Sequence, residues 1–105
     1  VKDRPGFLVN RLLVPYLNHA AQAFDDRLAD RETMDKAIHM GLGHPMGPLT
    51  MLDLVGIDVQ VFVADAIAGE LGEARFFAPP ILRRMTSANW LGRKTGRGFY
   101  DYTKS

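Results

Sequence analysis

The chain has no cysteine among its 105 residues. That removes two classes at once, the disulfide framework and the thiolate metal site. It also fits a reducing compartment, and the cytoplasm is the expected location. An excess of charge of one sign is missing too. Thirteen basic and twelve acidic residues give a net charge of +1, so no electrostatic footprint for nucleic acid is present. No apolar run approaches the roughly 20 residues that a membrane span needs, and no signal peptide is visible. Internal repeats, low-complexity tracts and convincing strands are absent. So are a pair of placed carboxylates, a Ser–His–Asp pattern and a nucleophile positioned to act alone. Pattern and composition therefore describe a helical domain without a self-sufficient active site. The first residue is Val rather than Met, which leads us to expect a longer polypeptide.

What remains is an ordinary globular composition, 47% hydrophobic, of a size expected for one domain (1–105) with one modest core. Its organising stretch is Pro5-Gly6-Phe7-Leu8-Val9-Asn10-Arg11-Leu12-Leu13-Val14-Pro15-Tyr16-Leu17. Proline suits a helix entry because its fixed φ and missing N–H cost nothing there. At about 100° per residue, Val9, Leu13, Tyr16, Leu17, Ala20, Ala23 and Phe24 share an apolar arc. Arg11, Asn18, Gln22, Asp25 and Asp26 fall opposite. Leu8 and Val14 point to the polar side and suggest a second covered surface. Pro15 removes one hydrogen bond and should kink the helix. Asn10 sits at the edge between the arcs.

Further on, Asp30 is a suitable N-cap for a second helix from Arg31 to Met40, with Met34, Ala37 and Ile38 as its apolar face. Gly41 is placed to end it in a left-handed cap. The Gly- and Pro-dense segment Gly41 to Pro48 reads as a turn. Pro48 opens a short third helix that Gly56 ends. Asp58 caps a fourth, in which Val59, Phe62, Val63, Ala66 and Ile67 repeat at helical spacing. A fifth runs from about Ile81 to Ala88. The tail from Asn89 to Tyr102 is not periodic. Its glycines ask for turns and its aromatics, Trp90, Phe99, Tyr100 and Tyr102, ask for burial, which predicts an extended cover over five helices.

Candidate sites are few. His19, His39 and His44 lack ligand spacing and read as surface or cap residues, so no metal is expected. Gly96-Arg97-Gly98 has no strand before it and no helix after it, which makes it a poor dinucleotide fingerprint. Arg83, Arg84, Arg93, Lys94 and Arg97 either face a ligand's phosphates or form a solvated face, the commoner outcome. The five methionines read as core filler. Spacing alone makes Asn10 a helix-start asparagine that satisfies nearby backbone.

Three stretches shift that balance. They are the Pro5–Asn18 segment; Gly43-His44-Pro45-Met46-Gly47-Pro48 with Leu52-Asp53 and Gly56-Ile57-Asp58; and Gly92-Arg93-Lys94-Thr95-Gly96-Arg97-Gly98-Phe99-Tyr100. In this order they closely resemble the C-terminal domain of the 3-hydroxyacyl-CoA dehydrogenases, including bacterial 3-hydroxybutyryl-CoA dehydrogenases. The resemblance implies an all-α fold of the 6-phosphogluconate dehydrogenase C-terminal type. It implies a partner Rossmann domain, absent from this chain, that binds NAD and carries a catalytic His–Glu pair. It also implies an acyl-CoA substrate and a homodimer built by the helical domain. Asn10 matches the family asparagine that lies near the catalytic His and the substrate C3 oxygen, and so takes a supporting catalytic role. No residue here matches the His–Glu pair, so the chain alone is expected neither to bind NAD tightly nor to turn over substrate. A rival reading is a non-catalytic helical dimerisation or interaction module. A third is the helical domain of another hydroxy-acid dehydrogenase, against which the second and third stretches argue.

Overall fold

The computed structural model describes residues 5–73 and 76–103, with the side chains of 5–8 outside that description. Five α-helices follow one another among the described residues: α1 (Pro5–Asp25), α2 (Arg31–Gly41), α3 (Pro48–Val55), α4 (Ile57–Leu71) and α5 (Pro80–Ser87). The tail after α5 has turns, a 3₁₀ turn at Arg93–Thr95 and isolated bridges pairing Gly92 with Arg97 and Arg97 with Asp101. No helix among the described residues is long and apolar enough to cross a membrane.

Helix α1 is the spine. It runs unbroken through Pro15 and packs against α3, α4 and α5. Leu17, Leu49, Leu52, Ile57, Phe76 and Leu82 are fully buried where these elements meet. Each such side chain contributes roughly 1.5–3 kcal/mol relative to exposure. Phe24 closes the far end edge-on against Phe99 of the tail, with ring centroids 5.4 Å apart.

The buried stripe of α1 differs from the expected arc. Val14, expected on the polar side, is 2% exposed, and Asn18 is buried beside it. Val9, expected inside, is exposed. Asn18 can sit in the core because its partners are there. Its Nδ2 donates to the carbonyls of Phe76 and Phe77 at 3.2 and 3.3 Å, and its Oδ1 accepts from Gln60 Nε2 at 3.0 Å. Gln60 also donates to the Val14 carbonyl at 3.3 Å. A buried amide costs little when its donors and acceptors are matched in this way. The expectation placed on Leu8 lies outside the described residues.

The caps follow the same pattern of near agreement. Asp30 caps α2 by accepting from Thr33 N–H at 2.7 Å. Gly41, however, stays inside α2, Leu42 is its C-cap, and the left-handed glycine is Gly43 at φ +70°. Pro48 does open α3. Gly56 ends α3 and also starts α4, so Asp58 lies in the first turn of α4 rather than at its cap. Asp58 instead pairs with Lys94 at 2.7 Å. On α4 the expected apolar face splits. Ile67 is buried with Ala64 and Ala68, whereas Phe62 is 76% exposed and Ala66 is exposed. Ala37 on α2 is exposed as well. In the tail, Phe99 is buried, while Trp90 stays 41% exposed under the Arg97 guanidinium.

Candidate functional site

The core stripe of α1 runs Ala21, Leu17, Val14, and helical spacing puts Asn10 one turn further along it. There the covering elements end. Val9 and Leu12 are 55% and 70% exposed, and Asn10 is half-buried. No described residue hydrogen-bonds its amide. Beside it opens an apolar cleft of about 330 Å³. Val9, Leu12 and Leu13 of α1 and Met51 of α3 line it, together with Tyr16, His44 and Pro45. Leu13 is about 60° around the helix from Asn10, so the amide flanks the cleft.

The turn between α2 and α3 is held against this cleft by its own contacts. The His44 carbonyl accepts from His39 Nδ1 at 2.6 Å. The Tyr16 hydroxyl lies 3.4 Å from His44 Nδ1, and the two rings meet edge-on. Burial, then the Asp35 charge, raises the Tyr16 pKa above its ordinary value. The tyrosine therefore stays a neutral hydrogen-bonding wall. The arrangement offers an apolar seat for a chain and, at its rim, one amide with no partner among the described residues.

Two buried carboxylates, neither anticipated, explain most of the remaining motif residues. Asp35 on α2 accepts from Leu49 N–H at 2.7 Å, from Thr50 N–H at 3.0 Å and from the Thr50 hydroxyl at 2.7 Å. It thus caps α3 from a neighbouring helix, since the local N-cap, Gly47, has no side chain to do so. A Cβ on Gly47 would collide with Asp35. Asp53 on α3 anchors the tail. It accepts from Phe99 N–H at 2.8 Å, Tyr100 N–H at 3.0 Å and the Tyr102 hydroxyl at 2.7 Å. Tyr100 reaches Asp35 at 2.7 Å and so ties the two anchors together. Burial and the Asp53 hydrogen bond push the Tyr102 pKa up to about 12, and burial with the Asp35 bond raises that of Tyr100 further. One signal in the sequence could have found Asp53: it is a lone acid among the apolar residues of Leu49 to Val55.

Gly96-Arg97-Gly98 is therefore not a dinucleotide cradle. The space in front of Gly98 is filled by the Asp53 carboxylate, which leaves no room for a Cβ, still less for a phosphate. The residues here do not fit NAD. Among the described residues no cluster could hold a metal ion. His19 and His39 are exposed and apart from any such set. Of the five basic residues singled out in the sequence, Arg83, Arg84, Lys94 and Arg97 are ion-paired at the surface. Arg83 grips Asp65 through two bonds of 2.9 and 2.6 Å, Arg84 meets Asp25 at 3.0 Å, and Arg93 lies over the Tyr102 ring.

Fold and surface together define a class: an all-helical domain whose first helix offers an apolar cleft and an amide and which has no cofactor cradle among the described residues. Residues 6–102 match the family model for the 3-hydroxyacyl-CoA dehydrogenase C-terminal domain. A 3-hydroxybutyryl-CoA dehydrogenase of Clostridioides difficile is 45% identical over 104 residues, 99% of this chain and 37% of that protein. The crystal structure of FadB2 from M. tuberculosis superposes with a TM-score of 0.92 at 48% identity, covering 98% of this chain and 36% of that one. That of (S)-3-hydroxybutyryl-CoA dehydrogenase from Ralstonia eutropha gives 0.91 at 39% identity, covering 99% and 37%. The chain belongs to the 3-hydroxyacyl-CoA dehydrogenase family, as its helical C-terminal domain. It spans a little over a third of the length of these relatives.

Proposed function

We propose that the chain is the substrate-side and dimerisation domain of an NAD-dependent 3-hydroxyacyl-CoA dehydrogenase. The observation that carries this reading is Asn10, half-buried at the end of the core stripe with no described partner for its amide, beside an apolar cleft. In the reaction the C3 hydroxyl of a 3-hydroxyacyl-CoA becomes a carbonyl: its proton passes to the histidine of a His–Glu pair, and NAD would supply the acceptor for the hydride that leaves C3. Membership of the family assigns NAD and that pair to a partner Rossmann domain. This domain supplies two things. The Asn10 Nδ2 donates to the C3 oxygen and holds the imidazole in register, and the donor helps most as carbonyl character develops. The cleft walls of Val9, Leu12, Leu13 and Met51 take the acyl chain and exclude water.

The dimer rests on a separate surface. Leu54 and Val55 at the end of α3 and Val59 and Phe62 on α4 are all exposed. A contiguous apolar face of this kind is what an isologous contact between two copies covers. A cytoplasmic setting accords with the cysteine-free composition.

The test is Asn10→Ala in a polypeptide that carries this chain together with its Rossmann domain. Removing one such donor lowers kcat by roughly 10²–10³-fold, with an unfolding midpoint close to that of the parent. An unaltered kcat would return Asn10 to a role in starting the helix. NADH production from 3-hydroxybutyryl-CoA by the 105-residue chain alone would refute the division of labour.

A further inference from the structure

A second cleft, of about 300 Å³, lies at the other end of α1, where the tail crosses α5. Its apolar wall is formed by Phe24, Met85 and Phe99, and its edge by Arg31, Arg84, Arg97 and Trp90. None of the chemistry described above uses it.

The guanidinium groups differ in what already satisfies them. Arg84 is paired with Asp25 at 3.0 Å. Arg97 lies 4.2 Å over the Trp90 ring and 3.9 Å from Asp101. Arg31 has no ion pair or hydrogen bond to any described side chain, and its Nε is buried without a partner. It only faces the rings of Phe24 and Tyr100, each at 5.8 Å. Of the two acids that flank it in the chain, Glu32 is exposed, and Asp30 accepts from Thr33 N–H at the start of α2, a bond that lowers its pKa with a smaller contribution from the Arg31 charge. Arg84 and Arg97 thus face Asp25 and Asp101, whereas Arg31 is the guanidinium with a buried, unmatched donor. An unsatisfied buried donor costs free energy that an acceptor would recover.

We propose that this cleft binds a monocarboxylate with an apolar tail. The Arg31 fork takes the carboxylate, whose two oxygens match its paired N–H groups. The tail lies along Phe24, Met85 and Phe99, with Arg97 and Trp90 stacked at the mouth. A carboxylate offers acceptors to the one guanidinium at the cleft that has no ion pair to a described side chain. At about 30 Å³ for each water-sized group, the cleft holds about ten non-hydrogen atoms, the size of octanoate.

Trp90 is the one tryptophan of the chain and lies on the cleft edge, so its fluorescence reports occupancy directly. In a longer polypeptide that carries this chain, W90F supplies the blank. Octanoate is expected to give a saturable blue shift as it displaces water from the indole. Octanol and inorganic phosphate, at the same concentrations, are expected to give none. R31Q weakens octanoate binding at least tenfold while R31K restores part of it, with folding checked by circular dichroism. If R31Q fails to fold, R97Q carries the same tenfold expectation. No saturable response to octanoate overturns the proposal. So does an equal response to octanol, which would mean an apolar cleft without anion selectivity, or to phosphate, which would mean an anion site without a tail. Unchanged affinity in the folded arginine variant overturns it as well.

Discussion

Replacing Asp53 with Asn keeps the shape of the side chain and removes its charge, so it isolates what the carboxylate does for the tail. In the parent, Oδ1 serves Phe99 N–H at 2.8 Å, and Oδ2 serves Tyr100 N–H at 3.0 Å and the Tyr102 hydroxyl at 2.7 Å. Asparagine keeps one oxygen and best turns it to the two donors. Its NH₂ then faces the Phe99 N–H in a site where the residue is 1% exposed. Losing one bond to a charged acceptor costs roughly 1.5–3 kcal/mol, and the orphaned N–H adds roughly 1–3 kcal/mol. Relief from burying a charge returns part of this. The net loss is about 3 kcal/mol, a large share of the roughly 5–15 kcal/mol that holds a typical domain together. For a domain near this size it lowers Tm by roughly 12–24 °C. Urea unfolding followed by far-ultraviolet circular dichroism measures the loss. Amide hydrogen exchange shows where it falls, with protection lost first at Phe99 and its neighbours in the tail. Tyr102→Phe deletes a single bond to the carboxylate and orphans no buried N–H, so it should cost roughly 1.5–3 kcal/mol and leave Phe99 protected. The reasoning fails if D53N unfolds within about 0.5 kcal/mol of the parent, a shift typical of a neutral surface change. It also fails if Phe99 keeps its full protection.

Three further outcomes follow from the same geometry. All three tyrosines have raised pKa values, with Tyr102 near 12. Their contribution to stability is therefore complete below the unfolded value of about 10 and is lost as pH rises through the folded values. A tyrosinate absorbance titration should show no group ionising near pH 10, and ionisation should coincide with unfolding at higher pH. One tyrosine titrating normally in the folded protein would contradict this. Asn18→Leu removes the donor to the Phe76 and Phe77 carbonyls and one of the two acceptors of the Gln60 amide, which keeps the Val14 carbonyl. It should destabilise the chain by about 3 kcal/mol in urea unfolding, and a neutral result would mean that the network is not formed. Phe62→Glu places a charge on the exposed face of α4. Sedimentation at tens of micromolar should show a dimer for the parent and a monomer for the variant, and a monomeric parent would count against the proposed contact.

Local chemistry was legible in the chain. Asp30 before Arg31, Pro48 after a glycine turn, and Gly56 at a helix end each act on neighbours within four residues, so their roles can be read without knowing the fold. The three motif stretches carried the family. The positions of Asp35, Asp53, Asn18 and Gln60 were not legible. Their partners lie 14 to 65 residues away, and a polar residue on a helix looks solvated until a distant carbonyl or N–H is known to meet it. Nor did periodicity reveal which side of α1 is covered. A helix apolar around most of its circumference has several faces that could be buried, and α3, α4 and the segment before α5 chose the one through Val14. The sequence by itself determined where helices start and stop, because caps and turns are short-range. Only the tertiary structure decided which polar groups are buried and which apolar ones are left in water, because burial belongs to pairs of surfaces and each stretch of sequence describes only one of them.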